Sequence, residues 1–169
     1  MSSVETVEYI HLPAGAVLPE TCSKPRRVVI LIEEKVDPAW QDAVSRWIVE
    51  SGCLYMMAWG RDCSSWDDSV DHANLARFDY GDVPDDEFVM TTWHDKEPLH
   101  EVFFHARMCA FHPTIEMPLL TILDVREDAR ESAILALHQA VKSGLLDDTR
   151  DDPRYLPIWE RLKILMKIQ

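Results

Sequence analysis

Three continuous apolar runs predict strands that are covered on both faces. They occupy residues 27–33 (RVVILIE), 53–59 (CLYMMAW) and 119–125 (LLTILDV). None shows a strict alternation of apolar and polar positions, which is typical of strands in parallel sheets with helices on both sides. A fourth run at residues 87–94 (EFVMTTWH) is more polar, and we interpret it as a further strand.

The segments between these runs have helical periodicity. After the first run, Asp37 is a candidate N-cap, Pro38 takes the first helical position, and Gly52 follows the end of the pattern. Similar signals predict helices from Ser64, from Pro98 and over residues 128–142. Four strand–helix alternations indicate an α/β fold, Rossmann-like, with a layered sheet of about four mainly parallel strands flanked by helices. The strand order is left open.

The two ends of the chain differ in pattern from the middle. Prolines at positions 13, 19 and 25 predict an extended N-terminal arm over residues 1–25, or a short edge strand near residues 9–12. Residues 26–143 form the predicted α/β domain, and residues 144–153 read as a polar linker. An amphipathic helix is predicted over residues 154–169, where it would dock on the body.

Composition narrows the class of protein. The 169 residues include 47% hydrophobic and 28% charged residues, an ordinary globular mixture. Thirty acidic residues against 17 basic ones give a net charge of -13, which argues against direct binding to nucleic acid. The sequence has no signal-peptide pattern and no run of 18 apolar residues, so we expect a cytoplasmic protein that does not enter a membrane.

Two strings in the middle of the chain carry a resemblance. WGRDCSSWDDSVDHANLARFDYG at residues 59–81 and PDDEFVMTTWH at residues 84–94 resemble an uncharacterised bacterial family of domains of unknown function. The likeness spans about residues 28–125 and is most specific at residues 59–71 and 91–94. It implies a self-contained domain in a bacterial or phage setting, and it implies no activity.

Polar and aromatic side chains follow the second and third predicted strands. Ligands of open α/β sheets bind beyond the carboxyl ends of the strands, where the strand order reverses. We therefore expect Trp59 and His94 to end neighbouring parallel strands. In an enzyme, or a sensor of a nucleotide or other small molecule, His94 would serve as acid or base and Asp62 would orient it or a bound cation. The expected ligand contacts are Trp59, Thr91, Thr92 and Trp93.

Cofactor motifs do not support a classical nucleotide site. The sequence contains neither a G-x-G-x-x-G nor a Walker-type motif, and no cofactor is predicted. A zinc site is conceivable at His105, Cys109 and His112, which follow i, i+4, i+7 spacing, but the helical wheel places Cys109 with the apolar face. No metal is therefore predicted, and whether these three residues bind one stays open.

Negative charge is concentrated in residues 62–95, hereafter the acidic segment. It contains ten acidic residues and one basic residue, Arg77, for a net charge of -9. Repulsion among these charges destabilises the folded state, and binding of a basic partner would offset that repulsion. Our leading hypothesis is a small acidic protein-binding domain of the immunity, inhibitor or accessory-subunit type. Its expected partner contacts are Trp66, Asp67, Asp68, Asp71, Phe78, Tyr80, Asp85 and Asp86.

Overall fold

The computed structural model describes residues 4–145, in which one parallel sheet is flanked by four helices. The strands are β1 (Thr6–His11), β2 (Arg26–Ile32), β3 (Cys53–Gly60), β4 (Met90–His94) and β5 (Leu119–Val125). The helices are α1 (Pro38–Glu50), α2 (Cys63–Arg77), α3 (Leu99–Met108) and α4 (Glu131–Lys142). The α/β class is confirmed, with five strands rather than four. The predicted helix over residues 154–169 and most of the linker lie outside the described residues.

The strand order is β1-β5-β2-β3-β4, and every pair is parallel. Helices α1 and α2 pack on one face, where Ile48 and Trp66 share a core with Ile30. Helices α3 and α4 pack on the other face, where Phe103 and Ile134 share a second core with Leu31. The sides taken by α1, α2 and α3 follow from right-handed crossovers, because the chain moves one way along the sheet from β2 to β4 and returns to reach β5. Helix α4 follows the last strand and packs beside α3.

The N-terminal segment is part of the sheet. Strand β1 pairs with β5 along its whole length, from Thr6 opposite Leu119 to His11 opposite Asp124. The connection from β1 to β2 is extended and is held by α1. The indole nitrogen of Trp40 donates to the carbonyl of Ala16 at 2.9 Å, and that of Trp47 donates to Pro19 at 2.8 Å.

Three element boundaries differ from those predicted. Helix α2 begins at Cys63, so Asp67 and Asp68 do not cap its first turn as the sequence suggested. Strand β4 begins at Met90 rather than at residue 87, and α4 begins at Glu131 rather than at residue 128. Among residues 4–145, none of the helices combines the length and the apolar character needed to cross a bilayer.

Candidate functional site

Trp59 and His94 occupy paired positions at the carboxyl ends of neighbouring parallel strands. Strand β3 pairs with β4 from Tyr55 opposite Met90 to Trp59 opposite His94, without a register shift. The expectation that these two residues end adjacent strands is confirmed. The residues that follow them therefore meet at one rim of the sheet.

His94 is held at both ring nitrogens. Its ring is buried, with Nδ1 lying 2.5 Å from Glu97 Oε2 and Nε2 lying 3.1 Å from Thr92 Oγ1. The indole nitrogen of Trp59 donates to the backbone carbonyl of Glu97 at 2.7 Å. A carboxylate on one nitrogen and a hydroxyl on the other is an arrangement that orients an imidazole for proton transfer.

Two further side chains extend this cluster beneath α3. The ring of His105 lies edge-on to that of His94, with centroids 5.0 Å apart, and its Nε2 is 3.1 Å from the hydroxyl of Tyr55. Burial lowers the pKa of His105, and the neighbouring His94 lowers it further. Burial also raises the pKa of Tyr55. The sequence did not point to Glu97, which lies in the short loop after His94, or to Tyr55 of β3 and His105 of α3, which meet where α3 crosses the sheet.

The other residues predicted for this pocket lie apart from His94. Thr91 projects to the α2 side, where its hydroxyl donates to Asp71 at 2.8 Å. Trp93 also alternates away from His94 and is 54% exposed. Asp62 is exposed at the start of α2, and its ion pair is with Arg61 at 3.7 Å. The structure thus brings together Trp59, Thr92 and His94, and it separates them from the other three.

The strand order reverses elsewhere, between β2 and β5. At this point the carboxylate of Asp124 is fully buried and accepts two hydrogen bonds of 2.9 Å from Arg130. The hydroxyl of Tyr9 donates to the same carboxylate at 2.8 Å, and Arg130 also pairs with Glu33 at 2.6 Å. Burial alone would lower the pKa of Arg130, but its bonds to Asp124 and Glu33 raise it. The place where open α/β sheets usually bind a ligand is therefore occupied here by an ion-pair network of the protein itself.

The single acidic residue in the apolar run LLTILDV was the sequence signal for that network. A lone carboxylate within a buried strand needs a partner, and Asp124 is the only charged residue of β5. Which residues supply the partner depends on the strand order, because Tyr9 comes from β1 and Glu33 follows β2.

Part of the acidic segment faces inward, which corrects two of the expected partner contacts. Trp66 is only 1% exposed and packs edge-on against Trp40, with ring centroids 6.4 Å apart. Asp67 is also buried, and its Oδ1 has no hydrogen-bond partner among residues 4–145. Both residues lie on the inner side of α2, on the face that also carries the buried Val70, Ala73 and Asn74. Phe78 is half-buried.

Seven other aspartates of the acidic segment are exposed and alternate with exposed apolar residues along α2, the following loop and β4. Together they form what we term the acidic surface. Its exposed members are Asp68, Asp71, Asp79, Tyr80, Asp82, Asp85, Asp86, Phe88, Met90, Trp93 and Asp95. The basic residue of the segment, Arg77, pairs with Glu87 at 2.9 Å. Sequence reasoning found the acids and Tyr80 but missed the exposed Phe88 and Met90.

The possible zinc ligands do not meet. His105 contacts Tyr55, whereas the Nε2 of His112 lies 2.9 Å from the carbonyl of Asp85 and its Nδ1 accepts from the backbone of Ile115 at 3.1 Å. Within the described part of the chain, no group of three or more His, Cys, Asp or Glu residues is arranged to hold a metal ion.

An open cavity of about 640 Å³ lies at the opposite, amino-terminal end of the strands. Glu5 lines it, forming ion pairs with Arg27 at 2.7 Å, with His138 at 3.4 Å and with Lys142 at 3.7 Å. The hydrogen bond from His138 lowers the pKa of Glu5; burial opposes this, and the charge of Arg27 reinforces it, giving a pKa of about 2. Glu5 therefore supplies one negative charge to the side chains of Arg27 and Lys142 that converge on it.

Comparison with known proteins gives one match. Residues 7–141 match the family described as Domain of unknown function (DUF7684), whereas no curated protein and no solved structure matches the chain. The matched segment includes all five strands and four helices, apart from the first residue of β1 and the last residue of α4. The chain therefore belongs to the DUF7684 family.

Proposed function

We propose that this domain binds a basic protein partner through the acidic surface, in the manner of an immunity, inhibitor or accessory subunit. One observation carries the proposal: exposed acids and exposed large apolar side chains alternate along one continuous stretch of the chain, residues 68–95. Tyr80 is 59% exposed, Trp93 is 54% exposed and Met90 is 48% exposed, and along the chain each of the three lies between exposed aspartates.

The combination suits protein recognition better than it suits solubility. Solubility needs charge but no exposed tryptophan beside it. Complementary charge steers a partner to the surface, and aromatic side chains then supply the buried contact area that makes the complex last. The one internal cation of the acidic segment, Arg77, is already paired with Glu87, so the balancing charge would come from the partner.

The cellular setting is part of the same proposal. The sequence pattern supports a cytoplasmic location and the family resemblance supports a bacterial one. The net charge of -13 supports a protein partner rather than a direct contact with nucleic acid. The oligomeric state is left open.

A charge-matched pull-down tests the proposal. The test variant carries Asp68→Asn, Asp71→Asn, Asp85→Asn and Asp86→Asn. The control loses the same charge at exposed positions elsewhere, through Glu20→Gln, Glu50→Gln, Glu127→Gln and Asp128→Asn. We expect a basic protein in an extract of the native host to bind the wild type and the control, and to bind the test variant at least about ten-fold less.

Salt provides the second arm of the experiment. Binding carried by exposed charges weakens between low and high ionic strength, because the Debye length falls from about 10 Å at 0.1 M salt to about 3 Å at 1 M. The proposal fails if the captured protein is acidic, if both quadruple variants lose it equally, or if its retention is independent of salt.

A second candidate function rests on His94. The paired contacts of this ring with Glu97 and Thr92, at 2.5 and 3.1 Å, favour an enzyme or a small-molecule sensor at the rim next to Trp59. In this case His94 would exchange a proton with a bound ligand, and Glu97 would orient it. Asp62, the residue first expected in that role, has no contact with the ring.

A thermal-shift screen with metabolites and nucleotides tests this candidate. A ligand that binds the native state raises the melting temperature by mass action. His94→Gln is expected to abolish that rise, while His72→Gln, which changes an exposed histidine on α2, is expected to keep it. A ligand whose effect survives His94→Gln would remove His94 from the site.

A further inference from the structure

The outer edge of β4 is open to another strand. In the order β1-β5-β2-β3-β4 this strand is terminal, and within residues 4–145 it pairs with β3 alone. Open edges are usually protected by lysine, proline or a bulge. Residues 88–95 (FVMTTWHD) contain neither lysine nor proline, and the pairing of β4 with β3 is regular. Within residues 4–145 the edge therefore has no strand partner, and neither lysine, proline nor a bulge protects it.

This edge is held in position before any partner arrives. The side-chain amide of Asn74 donates to the carbonyl of Glu87 at 3.0 Å and accepts from the backbone nitrogen of Val89 at 3.0 Å. Farther along, the bonds of Thr91 to Asp71 and of His94 to Glu97 fix both faces of the strand. A preordered strand loses little conformational entropy when another strand pairs with it.

The two faces of β4 differ in chemistry. Thr91 and Trp93 lie on the α2 side, where the hydroxyl of Thr91 donates to Asp71, and the charge of Asp68 acts on that same carboxylate. Met90 lies on the opposite side and is half-exposed. In a strand paired with this edge, alternate side chains would lie on the α2 side with Asp71 and on the opposite side with Met90. The matching sequence pattern is an alternation of Lys or Arg with an apolar residue.

We infer that β4 binds an extended segment of alternating basic and apolar residues, which pairs with its open edge as a sixth strand. This inference rests on the proposed recognition of a basic partner and specifies how that partner is held. Addition of a strand to an open sheet edge is an established mode of peptide recognition. A second copy of the chain is a poor occupant, because it would bring a segment of the same net charge of -9 against this one.

The probe is a capped hexapeptide of alternating lysine and valine. Strand β4 has five residues and spans about 16 Å, so six residues are enough to cover it. A second peptide carries methyl groups on the four central backbone nitrogens, which removes their donors while the side chains and charge stay the same. Binding to the full chain is followed by NMR of the backbone amides and by their hydrogen exchange.

We expect the first peptide to slow exchange of those amides within residues 90–94 that do not bond to β3, and to bind at least about ten-fold more tightly than the methylated one. The double variant Asp68→Asn, Asp71→Asn should weaken binding of the unmethylated peptide several-fold. The control double variant Glu127→Gln, Asp128→Asn should bind as the wild type does.

Three results would overturn strand addition. If the two peptides bind equally and only the Asp68/Asp71 variant weakens them, the acidic surface binds a basic partner by charge and the edge is not used. If neither peptide binds and the amides of β4 are protected in the free protein, another copy or residues 146–169 already cover the edge. If neither binds and these amides exchange freely, the edge has no affinity for such a segment, and the pull-down then decides the proposed function independently.

Discussion

The side-chain carbonyl of Asn74 accepts a hydrogen bond from the backbone nitrogen of Val89 at 3.0 Å. The amide group of the same side chain donates to the carbonyl of Glu87, also at 3.0 Å. One buried asparagine on α2 thus pairs with the chain that enters β4 in the way a neighbouring strand would. It explains why the regular strand begins at Met90, three residues later than the apolar pattern predicts.

Replacing this asparagine should loosen the start of β4. Asn74→Ala leaves the buried nitrogen of Val89 without a partner, and an unsatisfied buried donor costs about 1–3 kcal/mol. We expect a loss of about 2 kcal/mol in the free energy of unfolding and faster hydrogen exchange at residues 87–94. Leu75→Ala, a change at a 40% exposed position of the same helix, is the control. Equal exchange rates in the two variants would show that Asn74 does not hold the strand.

A second prediction concerns the network of Asp124, Arg130 and Tyr9, between β2 and β5. Arg130→Ala leaves the fully buried carboxylate of Asp124 with the hydroxyl of Tyr9 but without its ion-pair partner. Breaking one side of a buried ion pair costs about 3–5 kcal/mol, so we expect a loss of about 3 kcal/mol in urea unfolding. Tyr9→Phe, which removes one neutral donor, should cost about 1 kcal/mol.

The paired replacement separates charge burial from packing. In Asp124→Leu combined with Arg130→Met no charge is left without a partner, and we expect most of the lost stability to return. If this double variant is less stable than Arg130→Ala, the network contributes net stability beyond neutralising its own buried charge.

The sequence predicts the central strands of the sheet well and the edge strand β1 less well. Strands β2, β3 and β5 are recognisable because continuous apolar runs are buried whatever the strand order. Strand β1 reads TVEYIH, a half-exposed pattern beside a proline-rich connection, and its strand conformation depends on pairing with β5 more than 100 residues away. Such a pairing is not encoded in a local pattern.

In the candidate site, too, some contacts could be predicted from local patterns and others depend on tertiary packing. The adjacency of Trp59 and His94 follows from consecutive βαβ units and could be predicted. The contact of His94 with His105 depends on how α3 crosses the sheet. The burial of Trp66 follows from helical spacing, since it shares one face of α2 with the buried Val70 and Ala73, whereas the burial of the adjacent Asp67 was not predicted. Rotational details of this kind decide which aspartates reach solvent.

Glu5 should make the stability of the protein sensitive to acid. Its pKa falls from 4.5 to about 2 on folding, chiefly through the hydrogen bond from His138 and the charge of Arg27, against the opposing effect of burial. A lowered folded-state pKa gives stability that is fully present above pH 4.5 and is lost as the pH falls from 4.5 towards 2.

The variant Glu5→Gln isolates this contribution. We expect it to be less stable than the wild type at pH 7, and we expect the difference to shrink as the pH falls through this window. Urea unfolding at a series of pH values measures both effects. Glu20→Gln, at an exposed position, should follow the wild-type curve. A constant difference between Glu5→Gln and the wild type at all pH values would mean that the carboxylate acts through packing alone.

Asp67 and Asp68 are adjacent on α2, but the first is buried and the second is exposed. Burial raises the pKa of Asp67; a hydrogen bond from Thr91 opposes this, and the charges of Asp71 and Asp68 reinforce it, so the ionised carboxylate destabilises the native state. Asp67→Asn is therefore expected to raise the melting temperature at pH 7 by about 2 °C. This gain should fade at acid pH, where the wild-type carboxyl group takes up a proton, which is the opposite of the effect at Glu5.

The neighbouring variant separates stability from recognition. Asp68→Asn should leave the melting temperature nearly unchanged and weaken binding of a basic partner, while Asp67→Asn should leave binding nearly unchanged. Calorimetry and a binding titration on the same two variants measure both quantities. If Asp67→Asn lowers the melting temperature instead, the buried Oδ1 has a partner in solution, and a cation that offsets the charge of Asp67 and Asp71 becomes the simplest explanation.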